Sequence, residues 1–383
     1  MGGVRMEFTT YTLGEVCSRL SSGKSIKAAE IFPARKYPVY GGNGLRGYAD
    51  RSNFEGECAI IGRQGAYCGN VRYFKGEAYM TEHAVVCQAN EKADTYYLSA
   101  LLSTLHLERL SGQSAQPGLA VGTLSVQEIN LPSLDDQRCI ASILSSLDRK
   151  IELNNKINAD LEEMAQTIFK NWFVDFEPFK DGKFVKSELG MIPERWKVGR
   201  LGDITKNKSA KVKERNDVKV LSPVTTGELV LSEEYFTKQV FSSSIAKYKI
   251  VNKGDFAYNP ARVNIGSLGR NEFDFDGCVS PVYVVFSVLD DYENYFDLFR
   301  KTDFFKDSVT SLAIGGVRQS LSYDDLSLIE TIIPSENIVE KFNNLYNQMK
   351  KTIKANKLEN SRLSALRDTL LPKLMSGELE VSE

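Results

Sequence analysis

Residues 139–169 read CIASILSSLDRKIELNNKINADLEEMAQTIF. In this stretch, every seventh residue from Ile140 onwards is apolar, except for one asparagine. The seven-residue slots hold Ile140, Leu147, Asn154, Leu161 and Ile168. Apolar residues at this spacing, with others three or four positions later, predict a long amphipathic helix that packs against another helix. An asparagine in one slot is typical of a residue that fixes the register of two helices at a cost in stability.

The same pattern returns 202 residues further along the chain. The slots of this second copy hold Phe342, Met349, Asn356, Leu363 and Leu370. Residues 135–163 carry seven acidic side chains against four basic ones, whereas residues 339–373 carry eight basic side chains against three acidic ones. Because opposite charges on neighbouring helices attract, we expect the two helices to pack on each other.

Two further pairs of segments are alike, and they precede the helices. Residues 12–25 resemble residues 200–213, and residues 121–137 resemble residues 317–335. The regions between them contain short β-type runs, turn residues and one helical piece each. The sequence therefore predicts a mixed α/β fold with an internal repeat. We expect a globular domain over residues 1–132, a spacer helix over 133–180, a second globular domain over 181–334, and a second helix with a tail over 335–383.

Composition limits the chemistry that the chain can perform. Its 383 residues have a net charge of -2, and they include six scattered cysteines and two histidines, which is a poor supply of metal ligands. We therefore expect no metal site. No apolar run approaches the roughly 18 residues of a membrane span, and the start MGGVRMEFTTYT has no signal-peptide core. We expect a cytoplasmic protein without a membrane partner.

Two motifs suggest a cofactor enzyme, and both fail on their context. Gly42, Gly44 and Gly47 match G-x-G-x-x-G, but Pro38 interrupts any strand before them, and turn-forming residues follow where a helix should begin. The run YNPARV at residues 258–263 resembles the Asn-Pro-Pro-aromatic loop of amino-methyltransferases, yet Ala261 and Arg262 replace the second proline and the aromatic residue. Because no phosphate-binding P-loop is present either, we expect no catalysis by this chain.

Five segments together resemble one family. They are residues 131–179 (LPSLDDQ…FVDFEPF), 187–204 (SELGMIPERWKVGRLGDI), 363–381 (LSALRDTLLPKLMSGELEV), 39–48 (VYGGNGLRGY) and 59–71 (AIIGRQGAYCGNV). They are similar to the specificity subunits of type I restriction–modification enzymes. The resemblance extends over nearly the whole chain.

The resemblance implies a non-catalytic subunit that binds double-stranded DNA. Each globular domain would be a target-recognition domain that reads one half of a bipartite site. The two helices would lie antiparallel, with pseudo-two-fold symmetry, and their length would set the gap between the half-sites. Two methyltransferase subunits would dock on the helices and bring S-adenosylmethionine. A restriction subunit would bring ATP and magnesium, so that no cofactor is expected on this chain.

Side chains that suit contacts with base edges and phosphates lie in loops of both predicted domains. In the first domain the candidates are Lys24, Tyr40, Asn43, Arg46, Tyr48, Arg63, Gln64, Tyr67, Gln113, Ser114 and Gln116. In the second domain they are Lys208, Lys211, Asn259, Arg262, Asn264, Arg318 and Gln319. Two alternatives remain at this point. The chain could be a fused methyltransferase and nuclease with its own recognition domains, or a coiled-coil interaction protein that binds no DNA.

Overall fold

A computed structural model describes residues 6–111, 118–313 and 320–381. The chain forms two compact units. Unit 1 combines Met1–Lys156 with Asn356–Glu383, and unit 2 is Ile157–Ala355. Each unit therefore includes a part of both long helices. The domain boundaries expected at residues 132, 180 and 334 separate globular regions from helices. The two compact units are divided within the helices instead, so the expected boundaries stay predictions.

Unit 1 is built on a six-stranded sheet. Its elements are β1 Thr9–Thr12, β2 Cys17–Ser22, β3 Tyr37–Gly41, β4 Gly44–Ala49, β5 Phe54–Gly62, β6 Val71–Met80, β7 Ala84–Ala89, β8 Glu128–Leu131, α1 Thr95–Thr104, α2 Val121–Ser125 and the start of α3 Leu134–Phe173. The strand order is β2-β7-β5-β6-β3-β4, and β1 pairs separately with β8. Helix α1 buries Tyr97, Leu98 and Leu102 in the same core as the apolar side chains of β5 and β7.

Unit 2 contains two four-stranded sheets. Its strands are β9 Phe184–Ser187, β10 Gly190–Pro193, β11 Lys197–Arg200, β12 Thr205–Lys208, β13 Lys219–Pro223, β14 Leu229–Leu231, β15 Lys249–Val251, β16 Phe256–Tyr258, β17 Leu268–Arg270, β18 Gly277–Val279, β19 Val284–Val288 and β20 Glu330–Ile333. Its helices are α4 Leu201–Ile204, α5 Ser232–Tyr235, α6 Glu293–Phe299, α7 Asp303–Ala313, α8 Tyr323–Ser327 and the start of α9 Glu336–Ser376. The sheets have the orders β12-β19-β16-β17 and β14-β13-β18-β15.

The internal repeat extends to individual backbone contacts. In unit 1, β1 pairs antiparallel with β8, and the N–H of Leu13 donates to the carbonyl of Gln127 at 2.9 Å. In unit 2, β11 pairs antiparallel with β20, and the N–H of Leu201 donates to the carbonyl of Ile329, also at 2.9 Å. In each unit, these contacts join the first strand of the repeated segment to its last strand, which directly precedes a long helix. The predicted α/β fold with an internal repeat is confirmed.

The long helices α3 and α9 have 40 and 41 residues. Within unit 1 they lie antiparallel. Arg367 donates to the carboxylate of Asp148 at 2.7 Å, and further along α3 the amide of Asn154 donates to Asn360 at 2.9 Å. The residue numbers rise on one helix as they fall on the other. The predicted antiparallel pairing is therefore confirmed.

The slot residues of the heptad pattern differ in burial. Ile140, Asn154 and Phe342 are fully buried or nearly so. The remaining slots are half-buried, and they hold Leu147, Leu161, Ile168, Met349, Asn356, Leu363 and Leu370. The buried amide of Asn154 also donates to a carboxylate oxygen of Glu359 at 2.7 Å. Because a buried amide without partners is costly, these bonds favour one register of the two helices over its neighbours.

An aromatic cluster forms the core of unit 2 where the helices meet. The ring of Phe342 is 1% exposed, and its centre lies 5.1 Å from Phe173, 6.0 Å from Phe169 and 6.1 Å from Trp172. Such edge-to-face contacts stabilise a core beyond the area that they bury. In the described part of the chain, no helix combines the length and the apolar character that crossing a membrane requires.

Candidate nucleic-acid interface

In unit 1, three loops with predicted contact residues meet around the turn at residues 81–83, which joins β6 to β7. The N–H of Lys24 donates to the carbonyl of Met80 at 2.9 Å, and the N–H of Arg63 donates to the carbonyl of His83 at 3.0 Å. The N–H of Thr81 donates to Tyr40, at the end of β3. We call these loops and the strand residues next to them, residues 23–24, 40–48, 62–72 and 81–83, the first loop edge.

The glycine run at residues 41–44 is the tip of the hairpin between β3 and β4 in this edge. A Cβ atom at Gly42 would lie 3.0 Å from the carbonyl oxygen of His83, and Gly44 has a φ of +94°, which favours glycine. A strand rather than a helix follows the run. The glycines therefore allow a tight turn and close backbone approach, and the run is not built like a dinucleotide-binding turn.

The predicted side chains of the first loop edge fall into two groups. Lys24, Asn43, Arg46, Gln64 and Tyr67 are exposed, whereas Tyr40, Tyr48 and Arg63 are half-buried. The ring of Tyr40 packs edge-on against Phe74 at 5.1 Å, and burial raises the pKa of its hydroxyl. Tyr40 therefore has a packing role in this structure.

Arg72 belongs to the first loop edge but was not among the residues predicted from the sequence. It is exposed in β6, and a Cβ atom at Gly44 would lie 3.2 Å from the central carbon of its guanidinium group. Arg46 is part of β4 in the same hairpin, and its side chain lies beside Gly41, because a Cβ atom at Gly41 would lie 2.8 Å from its Cδ. Burial along β6 does not alternate from residue to residue, so no local pattern in the sequence pointed to Arg72.

In unit 2, the pairing of β16 with β19 and β17 brings a loop and a turn together. Tyr258 of β16 pairs with Val284 of β19 and with Leu268 of β17. The loop at residues 259–267 and the turn at residues 280–283 therefore leave the sheet at the same edge. We call these two segments the second loop edge.

Basic side chains cluster at the second loop edge. Lys249 donates to the carbonyl of Tyr283 at 2.6 Å, and burial lowers the pKa of its ammonium group. Burial raises the pKa of the Tyr283 hydroxyl, and the positive charge of Arg262 opposes this rise. Lys211 forms a backbone bridge with Lys249. Arg262 and Lys211, both predicted contacts, are exposed here, while Asn259 and Asn264 are half-buried.

Lys208 has a structural role in unit 2. Its ammonium group donates to both carboxylate oxygens of Asp255, at 2.7 and 3.0 Å, and the side chain of Asp255 is 4% exposed. Burial raises the pKa of Asp255, and Lys208 opposes that rise. A DNA contact by Lys208 stays a prediction. In this structure, however, two of its three possible hydrogen bonds go to a buried carboxylate.

The two loop edges share one arrangement of backbone hydrogen bonds. The N–H of Leu119 donates to Arg63 in unit 1, and the N–H of Leu321 donates to Pro260 in unit 2. In unit 1, the N–H of Ala84 donates to the carbonyl of Thr81 across the turn. In unit 2, the N–H of Tyr283 donates to the carbonyl of Ser280 in the same way, and both distances are 3.0 Å. The two edges are thus equivalent positions of one repeated fold, and they carry different side chains.

Five predicted contact residues lie outside the described residues. They are Gln113, Ser114, Gln116, Arg318 and Gln319. Within the described ranges, no group of three or more histidine, cysteine, aspartate or glutamate side chains could hold a metal ion.

Comparisons with known proteins agree on one family. Residues 6–163 match the family described as type I restriction modification DNA specificity domain. The chain is 32% identical over 290 residues to the type I restriction enzyme MjaIX specificity subunit of Methanocaldococcus jannaschii. This alignment covers 73% of this chain and 66% of that protein. It is 41% identical over 141 residues to the EcoprrI specificity subunit of Escherichia coli, covering 36% of this chain and 35% of that protein.

A solved structure has the same fold. The S subunit of a type I restriction–modification system from M. genitalium aligns with a TM-score of 0.65 and 17% identity, over 100% of this chain and 99% of that one. The chain spans 35% and 66% of the lengths of the two curated relatives above, so their names establish the family rather than each activity. On the family match and the aligned relatives, this chain belongs to the family of type I restriction enzyme specificity subunits.

Proposed function

We propose that this chain is a non-catalytic DNA reader whose two loop edges each recognise one half of a bipartite, asymmetric DNA site. The observation that carries the proposal is the equivalence of the two edges. Leu119 and Leu321 make the same backbone contact in each unit, yet the residues that accept it are Arg63 and Pro260. A repeated scaffold with different side chains suits two half-sites of different sequence, because base edges are read by side chains.

Selection from random DNA duplexes tests this function. The full chain, together with its methyltransferase subunits, should enrich two short sequences separated by a fixed gap. Enrichment of a single uninterrupted sequence would contradict a reader with two edges. Enrichment of no sequence at all would favour a protein that binds other proteins only.

Replacing one exposed arginine in each edge should affect one half-site each. We expect Arg262→Ala to relax the base preference at one position of the second half-site, and Arg46→Ala to do so in the first. An arginine that binds a base edge with two hydrogen bonds contributes about 1–3 kcal/mol of discrimination. Both side chains are exposed, so neither change should disturb the fold. Repeating the duplex selection with each variant provides the measurement, and each variant serves as the control for the other.

We further propose that the long helices dock two methyltransferase subunits through equivalent patches. Exposed apolar residues recur at the same repeat positions: Ile143 with Leu345, and Met164 with Leu366, at 37%, 41%, 50% and 47% exposure. Ile143 and Leu366 belong to unit 1, whereas Leu345 and Met164 belong to unit 2. Each unit therefore carries one residue of each pair, which supports two docking positions of the same kind. Exposed apolar patches often mark protein interfaces.

Placing a charge in one patch should weaken assembly. We expect Met164→Glu to reduce the methyltransferase bound per chain from two copies to one, because a buried carboxylate without a partner is costly. Leu366→Glu should do the same through unit 1. Val126→Glu is the matched control, since Val126 is 68% exposed outside the long helices. Native mass spectrometry counts the copies, and two copies on both helix variants would contradict the docking assignment.

Catalysis would then belong to the partners. The methyltransferase subunits would supply S-adenosylmethionine, and a restriction subunit, where one assembles, would supply ATP hydrolysis and magnesium. The specificity chain would contribute the position of these subunits on DNA.

A further inference from the structure

Val282 lies at the corner of the turn in the second loop edge, and it is 72% exposed. The turn is closed behind it by the hydrogen bond from the N–H of Tyr283 to the carbonyl of Ser280. A β-branched apolar residue is an unfavourable choice for an open turn, where Gly, Asn, Asp and Ser dominate. Packing does not account for Val282, because nearly three quarters of its surface faces solvent.

Polar and basic side chains lie on the loop edge around Val282. Because Tyr258 pairs with Val284, the residues that follow Tyr258 run alongside the residues that precede Val284. This places Asn259 and Pro260 opposite Tyr283 and Val282. Lys249 donates to the carbonyl of Tyr283, which is adjacent to Val282. The positive charge of Arg262 opposes the rise that burial causes in the pKa of the Tyr283 hydroxyl. Val282 is thus the more exposed of two exposed, large apolar side chains, the other being Ile265 at 55%, on an edge whose polar and basic groups suit phosphates and base edges.

The equivalent position of unit 1 holds a polar side chain. Gly62 pairs with Ala84, and one residue before Ala84 is His83, just as Val282 lies one residue before Tyr283. The turn hydrogen bonds, Ala84 to Thr81 and Tyr283 to Ser280, match in both units. His83 and Val282 therefore occupy the same corner of the repeated turn. The nitrogen atoms of a histidine ring can form hydrogen bonds, whereas an isopropyl group offers only apolar contact.

We propose that Val282 contacts the C5 methyl group of a thymine in the major groove of the second half-site, and that it determines specificity at that base pair. This proposal rests on the proposed function of the second loop edge as a DNA reader. In the major groove, the thymine methyl is the one apolar group that a base pair presents, and apolar side chains are its usual partners. The basic neighbours would hold the DNA backbone, while Val282 would distinguish thymine from cytosine.

Deoxyuridine, which lacks only the C5 methyl group of thymine, tests the contact directly. The second half-site is first defined by duplex selection with the wild-type complex. Each thymine in it is then replaced singly by deoxyuridine, and binding is measured for wild type, Val282→Ser and Val282→Thr. Burial of one methyl-sized group contributes about 0.8 kcal/mol, which is roughly a fourfold change in affinity. One replacement should weaken the wild-type complex by about this factor.

Val282→Ser should bind the original duplex more weakly and should lose the response to that deoxyuridine, whereas Val282→Thr, which keeps one methyl group, should lose only part of the response. Val126→Ser, a change at another exposed valine, should keep the response in full. A wild-type complex that selects a split site but shows no deoxyuridine response dependent on Val282 would overturn the inference, and so would a second half-site without thymine. A wild-type complex that selects no split site would instead refute the proposed function, so the two failures are distinguishable.

Discussion

A chain with one additional heptad in each long helix should select the same two half-sites, separated by a gap about three base pairs longer. The insertions copy residues 150–156 after Lys156 and residues 356–362 before Asn356. Both lie where the helices pass from residues of one compact unit to residues of the other. The copies keep the seven-residue spacing, so the slots continue to face the partner helix.

The size of the change follows from helix geometry. Seven residues lengthen an α-helix by about 10 Å, at about 1.5 Å per residue. Successive base pairs lie about 3.4 Å apart along DNA, which gives about three base pairs. The duplicated Asn154 meets the duplicated Glu359 and Asn360, so the polar contact that favours one register is preserved in the longer pair.

Insertion into α3 alone is the control for this experiment. It shifts one helix against the other and leaves a buried Asn154 without its partners, so we expect loss of specific binding rather than a new gap. Duplex selection with each variant provides the measurement. An unchanged gap in the double insertion, or altered half-site sequences, would show that the helices do not set the spacing.

The second large effect concerns the aromatic core of unit 2. We expect Phe342→Ala to lower the free energy of unfolding of unit 2 by about 3–5 kcal/mol, the usual cost of removing a buried phenylalanine ring. Phe342 is 1% exposed, and the rings of Phe169, Trp172 and Phe173 surround it. None of these rigid rings can fill the vacated space without moving α3, the helix that carries all three.

Tryptophan fluorescence during urea unfolding measures this effect in unit 2 alone. The chain has two tryptophans, Trp172 and Trp196, and both belong to unit 2. Phe304→Ala is the matched control, because Phe304 is 48% exposed and should cost about 1 kcal/mol or less. Equal loss of stability in the two variants would mean that the aromatic cluster is not the stabilising core of this unit.

The sequence predicts the helices better than the loop edges. Heptad spacing dictates which side of a helix is buried, so the pairing of Asn154 with the second helix could be anticipated from its slot. Gly44 has a φ of +94°, which few residues other than glycine adopt, so a glycine at this position fits a tight turn. In both cases, residues close together in the sequence predict the local structure.

The equivalence of the loop edges could not be predicted in this way. Matching residues are 188 positions apart at Leu13 and Leu201, but 202 apart at Leu119 and Leu321, so the offset changes within the globular regions. Backbone hydrogen bonds hold the edges, and they impose little on side-chain identity. The ion pair of Lys208 with Asp255 joins residues 47 positions apart, and nothing local marks them as partners.

Unit 1 is discontinuous, and this has a consequence for its synthesis. Leu374 and Met375, which follow unit 2 in the chain, are buried in the same core as Leu13 and Leu98. A ribosome adding about 5–20 residues per second therefore synthesises the whole of unit 2 before it adds the last part of that core. Unit 1 can therefore complete its core only after all of unit 2 has been synthesised. A chain truncated by a stop codon near residue 356 would thus present an intact second unit beside an unfinished first one, and it would be a substrate for proteolysis rather than a partial subunit.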